Sequence, residues 1–157
     1  MKLYEAVAAG TIQVDEDILE KYGRYVIGIG PKKQVQIFIN RKSYLLHKLI
    51  LRDVPEIDHK DTNPCNNTRL NLRPATSSQN NQNQKIGSRN KSGYKGVSWN
   101  KKSGKWCAQI QVDGVNFHIG FYVDKVEAAK AYNREATIQF GEFARLNVIP
   151  ELQEELQ

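Results

Sequence analysis

Four polar side chains between residues 58 and 80 have types and spacings that could support chemistry. Asp58 and His59 are adjacent, Asn71 follows His59 by twelve residues, and Asn80 follows Asn71 by nine. Imidazole is neutral near pH 7 and can accept a proton from water, while carboxylate and amide oxygens suit Mg²⁺. Taken singly, the Asp-His pair could be a surface hydrogen bond, Asn71 a turn residue and Asn80 part of an Asn-rich linker. The combination, in a basic chain, favours a reactive site.

The segment EIDHKDTNPCNNTRLNLRPATSSQN, residues 56–80, closely resembles the HNH nuclease motif of phage and intron homing endonucleases. The resemblance implies a ββα-metal unit in which His59 is the general base and Asp58 and Asn80 bind a divalent metal, Mg²⁺ or Mn²⁺. Asn71 would hold the loop and orient His59. Asp58-His59 would end one strand, Asn71 would open the second, and Asn80 would lie in the first turn of the helix. Because neighbouring strand residues point to opposite faces, Asp58 and His59 can reach one phosphate only if the strand ends or bends there.

Side chains near the motif leave some choices open. His47, in the segment LLHKLI, could contact a phosphate together with Lys48, or it could be a packed histidine of the core. Asp61 and Glu56 are close enough to be tried as extra ligands, but the family pattern does not use them.

The remaining sequence predicts the elements that surround this motif. A short helix is expected around Leu3–Ala9, and residues 22–50 alternate and are β-branched, which predicts two strands separated at Gly30-Pro31. Residues 83–92, NQKIGSRNKS, are polar and basic and are typical of a linker. We therefore predict a β-rich extension plus nuclease domain over 1–82, a linker over 83–92, a second domain over 93–147 and a tail with a frayed helix over 148–157.

A hairpin and a helix are predicted in the second domain. Lys105–Val112 and Val115–Tyr122 flank Asp113-Gly114, which suits a type I′ turn. A helix should begin after Asp124, with Glu127 placed as in a capping box, and should end at Gly141. Its apolar stripe is formed by Ala129, Tyr132, Ala136 and Phe140. Alternation predicts a hairpin face toward this stripe, formed by Trp106, Ala108, Ile110, Val112, Val115, Phe117, Ile119 and Phe121. The opposite face carries Lys105, Cys107, Gln109, Gln111, Asn116, His118 and Tyr122, and it is either a DNA-contacting surface or only the wet side of the sheet.

Residues 92–147 resemble the APETALA/ethylene-response-factor DNA-binding domain. The matching framework residues are Tyr94, Gly96, Val97, Trp106, Gly120, Phe121, Ala128-Ala129, Tyr132 and Leu146-Asn147. The resemblance implies a three-stranded antiparallel sheet packed on one helix, whose outer face reads the major groove. It places DNA contacts at Lys95, Ser98, Asn100, Gln109, Gln111, Asn116 and His118, and we expect Lys95, Lys101, Lys102 and Lys105 to anchor phosphates. Several arginines of plant members are absent here, so Gln and Asn should favour adenine edges over guanine.

Charge and composition agree with a nucleic-acid partner. The chain has 157 residues and a net charge of +6, and no acid lies between Asp61 and Asp113, where nine Lys and Arg residues occur. This basic stretch indicates a phosphate-contacting surface, although a solvated basic face is the alternative. Cys65 and Cys107 form no CxxC pair, which argues against a disulfide framework or a zinc ribbon. Early acids and the lack of a long apolar run predict a soluble protein that is neither secreted nor membrane-bound. The resemblance to phage homing endonucleases implies the cytoplasm of a phage-infected host cell.

The sequence therefore predicts an α+β protein with a ββα-metal nuclease core followed by a three-stranded antiparallel sheet on one helix. The expected activity is metal-dependent nicking or cleavage of double-stranded DNA by a monomer, as in a site-specific homing endonuclease of a phage or mobile element. The alternative is a non-catalytic DNA-binding regulator with a decayed nuclease core. RNA binding by stacking on Trp99 and Tyr94 is weaker, because Trp106 and Phe117 are expected to face the core.

Overall fold

The computed structural model describes residues 1–150, and residues 151–157 of the predicted tail lie outside the described part. The chain divides into two compact units between Asn80 and Asn81. Within residues 1–150 the secondary structure consists of five α-helices, one short 3₁₀-helix and three small antiparallel sheets. The predicted α+β class is confirmed. None of the described helices has the length and apolar character needed to span a bilayer.

The first unit begins with two short helices and a three-stranded sheet. The helices are α1 (Leu3–Ala8) and α2 (Glu16–Tyr22), and the strands are β1 (Val26–Ile29), β2 (Val35–Ile39) and β3 (Lys42–Leu45), with β2 in the centre. Helix α3 (Leu46–Ile50) follows β3 directly. The predicted helix near Leu3–Ala9 is confirmed.

The prediction of two strands between residues 22 and 50 is wrong, because the structure has three. Strands β2 and β3 are joined by Asn40-Arg41, and both residues have positive φ, at 49° and 63°. This is the backbone that a two-residue hairpin turn requires. Arginine seldom adopts it, so the sequence carried only a weak turn signal at this point.

The core of the first unit connects its helices to its sheet. The buried apolar side chains come from α1, α2, β1, β2, α3 and the segment before α2, and they are Leu3, Ala6, Ile12, Ile18, Tyr22, Ile27, Val35, Ile37 and Leu46. Strands β4 (Ile57–His59) and β5 (Leu72–Pro74) then form an antiparallel pair, and helix α4 (Ser77–Gln82) follows. The motif segment thus folds as strand, strand and helix in chain order.

The second unit contains a three-stranded antiparallel sheet and one long helix. The sheet has the order β6 (Val97–Asn100), β7 (Lys105–Val112) and β8 (Val115–Tyr122), and helix α5 spans Lys125–Phe140. Asp113 and Gly114 have φ of 49° and 83°, which confirms the predicted turn. Asp124 accepts hydrogen bonds from the backbone N–H groups of Val126 and Glu127, and Gly141 ends the helix with a φ of 52°.

Packing in the second unit places the predicted helix stripe against the sheet. Ala129, Tyr132 and Ala136 are buried, and Phe140 packs beside them. The predicted apolar stripe of α5 is therefore confirmed. The predicted capping box at Glu127 is wrong, because its carboxylate accepts a hydrogen bond from the Lys130 ammonium at 2.9 Å and not from the backbone N–H of Asp124.

A β-bulge in β8 changes which side chains face α5. Gln109 lies opposite His118 and Ala108 lies opposite Gly120, so Ile119 is an extra residue in the ladder. Beyond the bulge Tyr122 lies opposite Trp106, and Phe121 lies opposite Cys107 on the outer face. The alternation predicted for Phe121 and Tyr122 is wrong, because one extra residue inverts the facing of all that follow. The expectation that Phe117 is a core residue also needs correction, since 52% of it is exposed at the edge of the helix side.

Candidate active site and nucleic-acid interface

Asp58 lies in a buried ion pair formed across the β4–β5 ladder. Arg73 is its direct cross-strand partner, and the Arg73 Nε donates to Asp58 Oδ2 at 2.8 Å while Nη2 lies 2.6 Å from the same oxygen. The two side chains are 7% and 9% exposed. Asp58 is among the site residues predicted from the sequence, whereas Arg73 is not. A buried carboxylate needs a cationic neighbour, and the segment NLRP, residues 71–74, contains one in Arg73.

His59 is the last residue of β4 and lies opposite Leu72. Its ring meets the ring of His47 edge-on, with centroids 5.3 Å apart and planes at 84°. Burial lowers the pKa of His59, and the hydrogen-bonding side chain of Asn67 and the carboxylates of Asp61 and Asp58 only partly oppose this shift. The imidazole of His59 is therefore neutral near pH 7, which is the form that can accept a proton.

His47 is the packed histidine rather than a surface contact. It lies in α3, is 3% exposed, and burial followed by the charge on His59 lowers its pKa to about 4. Lys48 points its ammonium at the chain itself, donating to the carbonyl oxygens of Val54, at 2.9 Å, and Pro55. The structure thus favours the packed histidine over the phosphate contact, and it places the ring of His47 against the ring of His59.

Asn71 closes the loop that follows His59. Its amide nitrogen donates to Asp61 Oδ1 at 2.9 Å and to the carbonyl of Asn66 at 2.8 Å, and its amide oxygen accepts from the backbone N–H of Asp61 at 3.0 Å. The backbone N–H of Lys60 donates to the Asn71 carbonyl at 2.9 Å. These bonds hold the two residues directly after His59, so Asn71 restrains the backbone at the end of β4.

Asn80 lies in α4 and contacts Glu56, an acid that the family pattern does not use. Its amide nitrogen donates to Glu56 Oε2 at 3.2 Å, and the Ser77 hydroxyl donates to Glu56 Oε1. These two donors, Ser77 first, lower the pKa of Glu56. Glu56, the residue directly before β4, therefore links this strand to helix α4. No short-range signal reveals this contact, because it joins residues 24 positions apart.

The donor set limits which cation this site could hold. Among residues 1–150 there is no cluster of three or more His, Cys, Asp or Glu side chains with the geometry of a metal site. A cation here would depend on a carboxylate and an amide oxygen, with water and phosphate completing its shell. Such a sparse oxygen set is compatible with Mg²⁺, which usually keeps several waters.

The outer face of the second unit collects most of the predicted DNA contacts. The cross-strand pairs Ser98–Cys107, Asn100–Lys105, Gln109–His118 and Gln111–Asn116 lie on this face. Lys101 and Lys102 are exposed in the turn between β6 and β7. The Asn100 side chain accepts from the backbone N–H groups of Lys102 and Ser103, both at 3.0 Å, and so shapes that turn.

Lys95 is held differently from the other predicted contacts. Its ammonium donates to the carbonyl oxygens of Gln82 and, at 3.0 Å, Gln84. Burial and then the charge of Arg145 lower the pKa of Lys95 to about 8. The Lys95 ammonium is thus engaged with backbone carbonyls of Gln82 and Gln84, while Lys101 and Lys102 are exposed.

Comparison with known proteins gives two relatives. No family model matches the chain, and no solved structure matches it significantly. Over 93 residues, 59% of this chain and 47% of the relative, it is 39% identical to a protein of Acanthamoeba polyphaga mimivirus named as an uncharacterized HNH endonuclease. The chain therefore spans about half the length of that relative. This name supports the HNH resemblance, whereas neither relative's name refers to the ethylene-response-factor resemblance.

The second relative is Protein 3.8 of Escherichia phage T7. The chain is 36% identical to it over 89 residues, which are 55% of this chain and 74% of Protein 3.8. Identity at this level over most of the relative indicates common descent and a common fold over the shared part. The chain therefore belongs to the same protein family as Protein 3.8 of Escherichia phage T7.

Proposed function

We propose that this protein is a metal-dependent HNH endonuclease that binds double-stranded DNA and nicks or cleaves it by phosphodiester hydrolysis. The observation that carries this proposal is the position of His59. It is a buried imidazole with a lowered pKa at the end of a strand, in a strand–strand–helix segment that also contains Asp58, Asn71 and Asn80. The name of the mimivirus relative supports the same activity.

His59 acts as the general base in this proposal. Its neutral ring takes a proton from the attacking water. His47 packs edge-on against the ring, and the Asn71-bonded loop fixes the backbone that follows. Because β4 ends at His59, the chain turns there, and this offers a way for neighbouring side chains to approach one phosphate.

A divalent cation, Mg²⁺ or Mn²⁺, would be held by Asp58 and Asn80. When bound, it would stabilise the negative charge on the phosphate and the departing oxygen. Arg73 contacts Asp58 through Oδ2, and Asn80 gives its amide N–H to Glu56, so the amide oxygen of Asn80 would be its ligand to the cation. One carboxylate and one amide oxygen, without thiolate, are the ligands that hard cations prefer.

The second unit would supply DNA binding. Its outer face is polar, and Lys101, Lys102 and Lys105 lie on or beside it, which favours phosphate contacts and a steep salt dependence. Binding as a monomer at a chosen site, followed by cleavage of a nearby phosphodiester, would match a homing endonuclease in a phage-infected cell.

The alternative is a non-catalytic DNA-binding regulator. The observation that favours it is the Asp58–Arg73 pair, since a carboxylate engaged with a buried guanidinium can serve structure alone. Under this alternative the outer face of the second unit carries the whole function, and the first unit is a scaffold.

The test is a cleavage assay on supercoiled DNA carrying phage or host sequence, with Mg²⁺, Mn²⁺ or EDTA. The wild type should convert the substrate to nicked or linear product only with metal, and His59→Ala should abolish conversion while gel-shift binding persists. Asn80→Ala should also lose cleavage, whereas Asn81→Ala, the exposed neighbour on α4, should retain it. Tight binding without cleavage in any metal would favour the regulator.

A further inference from the structure

The bulge at Ile119 places one aromatic ring on an otherwise polar face. Phe121 is 45% exposed, lies opposite Cys107, and meets the ring of His118 edge-on with centroids 4.4 Å apart. An exposed phenyl group on a sheet face is unfavourably hydrated, and its burial against a bound partner would be favourable in free energy. Phe121 is therefore suited to contact an apolar group of a binding partner.

The neighbours of Phe121 narrow the chemistry of that partner. Gln109 pairs with His118 and Gln111 with Asn116 across the same two strands. Side chains directly opposite on antiparallel strands lie about 4.5–5.5 Å apart. The described positions of the outer face carry amide, hydroxyl, thiol and imidazole groups, one ammonium and one phenyl group, but no carboxylate and no guanidinium. These positions are Ser98, Asn100, Lys105, Cys107, Gln109, Gln111, Asn116, His118 and Phe121.

The floor of the DNA major groove has groups that match this set. Adenine presents an acceptor and a donor that Asn and Gln amides bind together, and thymine presents the C5-methyl group, the one apolar substituent in the groove. Guanine is read best by guanidinium or ammonium groups, and among the described positions of this face Lys105 is the one that carries such a group. The exposed Lys101 and Lys102 at the end of the sheet complement a polyanion.

We propose that the outer face of the second unit reads A·T base pairs in the major groove, with Phe121 in contact with a thymine methyl group. This inference rests on the proposed DNA binding. It goes beyond the adenine preference expected of Gln and Asn by adding Phe121 as the residue that selects thymine through its methyl group. It does not depend on cleavage, because the groups that carry it all belong to the second unit.

The first measurement is selection of bound duplexes from a random pool by the full chain in EDTA, which prevents metal-dependent cleavage. The selected sites should contain A·T pairs at the contacted positions. Each thymine of a selected site is then replaced by uracil, which removes only the methyl group. At the contacted position the affinity of the wild type should fall about fourfold, the loss expected for one buried methyl group.

Matched variants assign the effect to the ring. Phe121→Ala should bind DNA with reduced affinity and should no longer distinguish thymine from uracil. Phe117→Ala is the control, because Phe117 is a half-exposed phenylalanine on the opposite face of the same strand, and it should keep the full uracil penalty.

The outcomes separate this inference from the proposed function. Salt-dependent DNA binding with G·C-rich selected sites, with no uracil penalty, or with a penalty that survives in Phe121→Ala overturns the inference and leaves DNA binding intact. Absence of any DNA binding by the full chain contradicts the proposed function itself.

Discussion

Replacement of Arg73 by methionine should strongly destabilise the first unit. Arg73 and Asp58 are 9% and 7% exposed and lie within 2.6 Å of each other. Removing one partner of a buried ion pair costs about 3–5 kcal/mol, because the remaining charge stays buried. A unit of 80 residues has a free energy of unfolding of about 4–12 kcal/mol. With a urea m-value of about 1–1.5 kcal/mol/M, the midpoint of Arg73→Met should fall by about 2–5 M.

The chain contains an internal control for this measurement. Both tryptophans, Trp99 and Trp106, belong to the second unit, so their fluorescence reports the unfolding of that unit. Hydrogen exchange of peptides from residues 57–74 reports the β4–β5 pair. Arg73→Met should shift exchange in these peptides and leave the tryptophan transition in place.

A double variant decides whether the buried charge is the cause. Asp58→Asn combined with Arg73→Met removes both charges and should recover at least half of the lost stability. The reasoning is refuted if Arg73→Met costs less than about 1 kcal/mol, the range of an exposed pair, or if the double variant is no more stable than Arg73→Met alone.

Three further predictions concern stability. Burial lowers the pKa of His47 to about 4, so between this pH and about 6.5 the folded state binds fewer protons than the unfolded chain. The first unit should therefore be most stable above about pH 6.5 and lose stability as the pH falls toward about 4. In urea titrations the stability of His47→Gln should depend less on pH than that of the wild type, and an unchanged pH dependence would contradict the role of His47. Gly96→Ala should lower the tryptophan-monitored stability by about 2–5 kcal/mol, because the added Cβ would lie 2.0 Å from Tyr132 at a φ of +73°. Gly104→Ala, at a φ of +63° with open space around it, should cost only about 1–2 kcal/mol, and equal losses would argue against the clash. Asp124→Ala should cost about 1 kcal/mol through the lost helix cap, measured by the same transition, whereas no loss would show that the two cap bonds are weak.

Local signals explain the elements that could be predicted. Helix α5 begins at its capping residue Asp124 and ends at Gly141, and the β7–β8 turn occupies Asp113-Gly114, because each feature depends on a few consecutive residues. The Asn40-Arg41 turn could not be predicted from such a signal, because Arg41 has a positive φ, which arginine seldom adopts.

The sequence by itself determined the residue types and spacings of Asp58, His59, Asn71 and Asn80, the basic charge, and the α+β class. Only the tertiary structure decided what these groups touch. The guanidinium beside Asp58 comes from 15 residues away and the carboxylate beside Asn80 from 24 residues away. Likewise, the single bulge at Ile119 decided that Phe121 faces outward. Such contacts depend on strand register and long-range packing, where a shift of one residue inverts a face, and no local pattern of residues encodes that shift.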